Sequence, residues 1–234
     1  MRQVIPICTK EFKGYFVSPI AYIVISIFLL VAGWFFFTTF FLVDQANLRN
    51  FFSMLPFVFS FVVPAVTMRL FAEELNTGSY EILLTLPVTF HEVIIGKFLA
   101  SVGFIVAMLV PTFAYALTVA LLGQLDWGPV IGGYLGAMLL GAAFSAIGLF
   151  ASSVTKNQIV AFIVGMTICF GLTLVDKILF FLPQSLLGVL HFIGTDSHFQ
   201  NISKGIIDSR DIIYFLSVCF VGLYGTLLAM QERN

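Results

Sequence analysis

Four carboxylates, Glu73, Glu74, Glu81 and Glu92, fall within one short stretch of the chain, and His191, Asp196 and His198 gather in another. Carboxylates at that density attract arginine or lysine, and imidazole with carboxylate is metal-ligand chemistry. The second group is loosely spaced and lacks further ligands, so ordinary loop residues are expected there and no metal site. Catalytic constellations are missing too. His91-Glu92 is followed by Ile95 where H-E-x-x-H needs a second histidine, and no G-x-S-x-G occurs. The pair Gly96-Lys97 is followed by Phe98, and His91 stands where a phosphate-binding loop needs its first glycine. No catalytic residue is expected, this chain binds no cofactor of its own, and it cannot hydrolyse ATP by itself.

The elements that carry these groups are apolar. Of 234 residues, 60% are hydrophobic and only 10% charged, with mean hydropathy +1.06. A soluble domain carries roughly a quarter charged residues, so this chain has too little polar surface to face water all round. Eleven basic against twelve acidic residues leave no excess to hold nucleic acid. Cys8, Cys169 and Cys219 lie far apart in or beside apolar runs and read as small hydrophobes.

A helix crosses the hydrocarbon core in about 20 residues. Six runs suit: Pro19 to Val43, Phe51 to Met68, Val93 to Gly123, Gly128 to Ser152, Gln158 to Val175 and Ile212 to Met230. Pro56, Pro64 and Pro111 should kink the second and third. Ser18 before Pro19 reads as a helix cap, as do Asn50 and Asn157 for the second and fifth spans. Trp127 and Tyr214 suit the membrane interface. Before the first span, Val4, Ile5, Cys8, Phe12, Tyr15 and Phe16 recur at helical spacing, which predicts an amphipathic helix in the cytoplasmic headgroup layer. With both termini inside, seven basic residues are cytoplasmic and four external, which favours that orientation. The fold class is an all-α integral membrane protein, residues 1–234 forming one domain.

Between the second and third spans, Arg69 to Glu92, the punctuation is dense. Gly78 can end one helix and Ser79 begin a short one. Tyr80, Leu83 and Leu84 share an apolar face of it, with Glu81 and Thr85 one turn apart on another, and Pro87 stops it. Thr89 and Glu92 form a capping box, with Val88 and Val93 as its staple. A short helix delimited at both ends serves either as a connector on the bilayer or as a knob for another protein. The four carboxylates favour the knob, because an anionic leaflet repels them.

The run E-E-x-x-x-G-x-x-E-x-L-L-T-L-P-V, starting at Glu73, resembles the region after the second span of ABC-2 type transporter permeases. The runs Lys10 to Tyr22 and His198 to Phe215 are similar to one branch of that family, the gliding-motility-associated (GldF-like) and NosY-like permeases. The resemblance implies a six-span permease half that pairs with a second permease subunit, as a homodimer or with a paralogue. It implies a cytoplasmic ABC ATPase partner that holds ATP and Mg and docks at the coupling helix, about Gly78 to Val88. The coupling residues would be Glu73, Glu74, Gly78, Tyr80, Glu81, Leu84, Thr85 and Pro87. Re-entrant helices before span six, over Asp176 to Ile207, and an extracytoplasmic accessory protein also fit that branch.

Asp44, Lys97 and Asp176 stand only at span margins, so a proton-coupled carrier is disfavoured. Gly133, Ala137, Gly141 and Ser145 give span four a small residue every fourth position, which suits packing inside one subunit ahead of a dimer contact. Among 28 phenylalanines, Phe37, Phe41, Phe57 and Phe61, with Trp34, are candidates for a substrate path, against the plainer expectation of lipid contact and core packing. Export driven by a separate ATPase is the expected function. The alternatives are a secondary carrier or channel, a non-transporting scaffold that passes ATPase work outward, and an intramembrane enzyme.

Overall fold

The structure, a computed structural model, describes residues 3–43, 47–79, 88–178, 193–206 and 208–232, with side chains to residue 38 in the first stretch and to 177 in the third. The helices are α1 (Val4–Val17), α2 (Pro19–Val43), α3 (Arg49–Thr67), α4 (Arg69–Thr77), α5 (Phe90–Leu109), α6 (Phe113–Leu122), α7 (Trp127–Val154), α8 (Gln158–Ile178), α9 (Thr195–Ser203) and α10 (Ser209–Gln231). No strand occurs among the described residues. Six stretches are long and apolar enough to cross a bilayer: Pro19–Thr38, Arg49–Thr77, Phe90–Leu122, Trp127–Val154, Gln158–Lys177 and Ser209–Gln231. These are the six sequence runs, with the second and third lengthened at their polar ends.

The helix boundaries follow local chemistry. Ile20 N–H donates to Ser18 Oγ at 3.3 Å, and Ile159 N–H to Asn157 Oδ1 at 2.9 Å, as the caps require. Asn50 does not cap: α3 begins one residue earlier, and the asparagine side chain at its start is Asn47, which accepts from Arg49 N–H at 3.3 Å. Pro111 breaks the third span through a 3₁₀ turn, Val110–Thr112, between α5 and α6. Pro56 and Pro64 lie inside α3, which ends at Thr67, and α4 begins after Met68.

The core is organised on α7, against which α3, α4, α5, α8, α9 and α10 all pack. Its small residues make that possible. Gly133, Ala137, Gly141 and Ser145 are buried inside this chain. A Cβ on Gly133 would strike the Phe52 ring, one on Gly141 Ile105, and one on Gly148 Thr67. Lipid tails are as apolar as leucine, so close packing and dispersion hold such helices together, and the stripe serves packing within the subunit. Helices α2, α8 and α10 instead keep broad exposed faces, including Leu30, Trp34, Ile159, Ile163, Phe220 and Val221.

Candidate functional site

The described charged chemistry collects at the two ends of the bundle. At the first end, α4 follows α3 across Met68 and packs on α7. The Ser152 hydroxyl holds the break: it donates to Met68 O at 2.7 Å and accepts from the N–H groups of Phe71 and Ala72, each at 3.0 Å. Four buried residues of α4, Leu70, Phe71, Ala72 and Leu75, then fix its inner face.

That face carries Leu70 O and Glu74 one turn apart, and both meet Lys97 of α5. Lys97 is 1% exposed, buried inside the protein near the start of the third span. Its ammonium donates to Glu74 Oε1 at 2.7 Å, Leu70 O at 2.8 Å and Glu11 Oε1 at 3.0 Å. Three donors find three acceptors, and Nζ also lies 5.2 Å from the centre of the Phe71 ring. An ammonium out of water is costly unless it is fully paired, so α1, α4 and α5 are drawn to one point. Glu74 Oε2 is buried with no partner among the described residues.

Helix α1 packs directly on α5. Ile7, Cys8, Phe12, Tyr15 and Phe16 join one apolar cluster with α5, while Ile5, assigned to that face by spacing, points outward and is 75% exposed. Gly96 and Gly103 of α5 admit this approach: a Cβ there would press on Ile7 and Phe12. Tyr15 Oη donates to Val66 O at 3.5 Å, and Arg69 lies over the Tyr15 ring. Burial pushes the Tyr15 phenol above its ordinary range, with Arg69 opposing the shift and Glu11 adding to it. A polar cavity of about 340 Å³ opens between α1 and α4, lined by Lys10, Tyr15, Arg69, Glu73, Thr77 and Ser79 among others.

The segment between α4 and α5 starts and ends as its sequence dictates. Gly78 is left-handed, φ 74°, and terminates α4. On the far side the capping box is complete: Glu92 N–H donates to Thr89 Oγ1 at 3.4 Å, and Thr89 N–H to Glu92 Oε2 at 3.3 Å. Val88 and Val93 belong to one apolar cluster, as a staple requires. Tyr80, Glu81, Leu84, Thr85 and Pro87 lie outside the described residues. The three described carboxylates are therefore not equivalent: Glu74 faces inward to Lys97, Glu92 closes a cap, and Glu73 is exposed.

The aromatic candidates are not brought to one place. Trp34 and Phe37 are exposed on α2, with Phe37 against Tyr115 of α6. Phe57 and Phe61 instead meet Phe170 of α8. The side chain of Phe41 lies outside the described residues.

At the opposite end, α9 seats on α7 where Gly132 and Gly136 make room for Ile202 and Phe199. His198 Nδ1 and Asp211 Oδ1 are 2.6 Å apart and buried, and Asp196 pairs with Lys177 at 2.6 Å. Asp176 Oδ2 accepts from Ser197 N–H at 2.9 Å. These pairings occupy Asp196 and His198, and no metal cluster occurs among the described residues; His191 lies outside them. Tyr214 is turned into the protein: it is 8% exposed, stacks on His198 at 4.2 Å, and donates to Ile193 O at 2.6 Å.

Sequence reading missed Lys97, although a signal was present. Its neighbours at three and four residues on either side, Val93, Ile94, Ala100 and Ser101, are small or apolar and are all buried on the same face.

Six apolar spans with their charged groups gathered at the ends define an all-α, multi-pass integral membrane protein. Residues 6–216 match the family described as ABC-2 family transporter protein, and the chain belongs to that family. It is thus a membrane permease subunit of an ABC transporter, a class of inner-membrane component that works with an ABC ATPase and commonly with a second permease. No curated protein is significantly similar to it.

Proposed function

We propose that this chain is one permease half of an exporter, driven by a separate cytoplasmic ATPase that docks at the segment between α4 and α5. The observation that carries the reading is the Lys97 junction. Lys97 ties α1 through Glu11 and α4 through Glu74 to α5, directly behind the two ends of that segment. A displacement of the segment is then delivered to three helices together, two of which lead into spans. Glu73, Gly78, Tyr80, Glu81, Leu84, Thr85 and Pro87 form the docking surface, and Glu74 transmits from behind it.

Both termini are cytoplasmic in this reading, in keeping with the distribution of basic residues. A second permease copy or a paralogue, together with membrane lipid, covers the exposed faces of α2, α8 and α10. Similarity of Lys10 to Tyr22 and His198 to Phe215 to GldF-like and NosY-like permeases supports assignment to that branch. The ATPase drives the cycle only if it binds the inward-facing and outward-facing permease with different affinity.

The test is co-purification with the neighbouring ATPase, followed by flux in vesicles. Nucleotide-dependent flux supports the proposal. Uphill movement on an ion gradient by the purified chain without ATP would overturn it. A second reading draws on the opposite end, where His198–Asp211 and Lys177–Asp196 fix α9 as a rigid surface. There the complex would pass ATPase work to an extracytoplasmic accessory protein, and nucleotide turnover without solute flux would select it.

A further inference from the structure

The polar cavity of about 340 Å³ between α1 and α4 is within the size range of small-molecule sites. Its depth in the bilayer follows from helix length. From Arg49 at the start of α3, the chain reaches Arg69 after about 30 Å at the α-helical rise, the thickness of the hydrocarbon core. On the other wall, α1 ends at Val17 and the first span starts at Pro19. Both walls therefore leave the hydrocarbon at the cavity, which places it at the depth of lipid headgroups.

The lining carries charge of both signs. Arg69 and Glu73 stand one turn apart on α4, the spacing of an ion pair on a helix, yet they do not pair. The Arg69 guanidinium lies instead over the Tyr15 ring, 5.3 Å from its centre. Lys10 lines the cavity from α1, and none of Lys10, Arg69 and Glu73 holds an ion pair among the described residues. Glu11 and Glu74 also line it, but each is turned to Lys97. Counting Lys97, three cations stand against three carboxylates. A simple anion is attracted by Lys10 and Arg69 but repelled by Glu73, and for a simple cation the reverse holds. A zwitterion satisfies both sides. A phosphodiester accepts from the N–H groups of arginine and lysine. A primary ammonium donates to a carboxylate, which a quaternary ammonium, having no N–H, does not.

An apolar edge continues from the site. Val17 is one turn beyond Gly14 of the lining and is 85% exposed, and Ile20 follows at the start of α2, also exposed. Acyl chains attached to a headgroup in the cavity would run along these residues. We infer that the cavity between α1 and α4 holds the phosphoethanolamine headgroup of a membrane lipid, its phosphate at Lys10 and Arg69 and its ammonium at Glu73. Because Glu73 also belongs to the proposed ATPase docking surface, the test uses the full chain without ATPase, where a failure of docking has no effect on the result.

The test is native mass spectrometry of the chain released from nanodiscs of phosphatidylethanolamine, phosphatidylglycerol and phosphatidylcholine in equal amounts. Wild-type protein should retain phosphatidylethanolamine in preference to the other two. Lys10→Gln and Arg69→Gln should each lower that retention about fivefold, the effect of one cation near a membrane surface. Glu73→Gln should remove the preference over phosphatidylglycerol. A Cβ on Gly14 meets nothing within 4 Å, so Gly14→Leu fills the cavity from α1; it should abolish retention with the unfolding temperature unchanged. Lys13→Gln, exposed on α1 and outside the lining, should keep the lipid. Equal retention of the three lipids by wild type overturns the proposal, as does full retention by Gly14→Leu or a loss in Lys13→Gln that matches Lys10→Gln. Glycerophosphoethanolamine offered to the detergent-purified chain should leave no adduct. An adduct as abundant as that of phosphatidylethanolamine would overturn the lipid in favour of a soluble phosphodiester.

Discussion

Ser152 of α7 accepts the backbone N–H of Phe71 at 3.0 Å, so a hydroxyl in the fourth span holds the polar extension of the second. The same oxygen takes Ala72 N–H and donates to Met68 O. Ser152→Ala removes an acceptor shared by two donors in a fully buried place. The expected cost is about 1–3 kcal/mol, seen as a lower unfolding temperature in detergent. Amide exchange should rise at Phe71 and Ala72 ahead of the rest of α4. Unchanged protection there would show that the hydroxyl does not hold the break.

Lys97 differs from a surface lysine because its removal leaves two carboxylates facing each other around an apolar stem. Lys97→Met should destabilise by about 3–5 kcal/mol, the usual penalty for breaking one side of a buried pair. Neutralising the partners as well, Glu11→Gln and Glu74→Gln with Lys97→Met, should recover most of that loss, because the uncompensated charge is gone. The measurement is thermal unfolding of the three forms. In the assembled transporter the recovered triple variant should still couple poorly, with ATP turnover less dependent on the permease, since the tie between α1, α4 and α5 no longer exists.

The parts legible in the sequence are those that local chemistry decides. Six spans follow from apolar length, the Thr89–Glu92 box from residue type at fixed spacing, and the end of α4 from glycine at a left-handed position. What escaped is decided by distant partners. Lys97 finds Glu74 and Glu11 at 23 and 86 positions away, and no window of hydropathy carries that. Tyr214 has the amphipathic ring of an interfacial residue, but Ile193 O supplies its polar partner inside the fold. The interruption at Met68, where Ser152 of another helix satisfies the backbone, has no local signal in the sequence. The small residues of α7 do serve internal packing, as their spacing suggests, yet their partners, Phe52 and Ile105, emerge only from the structure.

Glycines in the spans divide by what surrounds them. A Cβ on Gly222 would meet Ala146 backbone at 2.8 Å, with nothing flexible to yield. Gly222→Leu should push α10 off α7 and cost about 1–3 kcal/mol. A Cβ on Gly171 would have nothing within 4 Å of it. Gly171→Ala should stay within about 0.5 kcal/mol of wild type. Thermal unfolding in one detergent compares the two. Equal losses would mean that glycine acts through backbone freedom and not through the α7–α10 contact.

Charge reversal at the docking segment separates binding from transmission. Glu73 is exposed and holds none of the ion pairs found among the described residues, whereas Glu74 is committed to Lys97. Glu73→Lys with Glu81→Lys should therefore weaken ATPase association while leaving the thermal stability of the isolated permease unchanged. Glu74→Lys should do the reverse first, lowering stability by setting a second cation against Lys97. Co-purification yield and unfolding temperature, measured on wild type and both variants, give the two readouts. If Glu73→Lys with Glu81→Lys co-purifies as wild type does, docking of the ATPase through these carboxylates is ruled out.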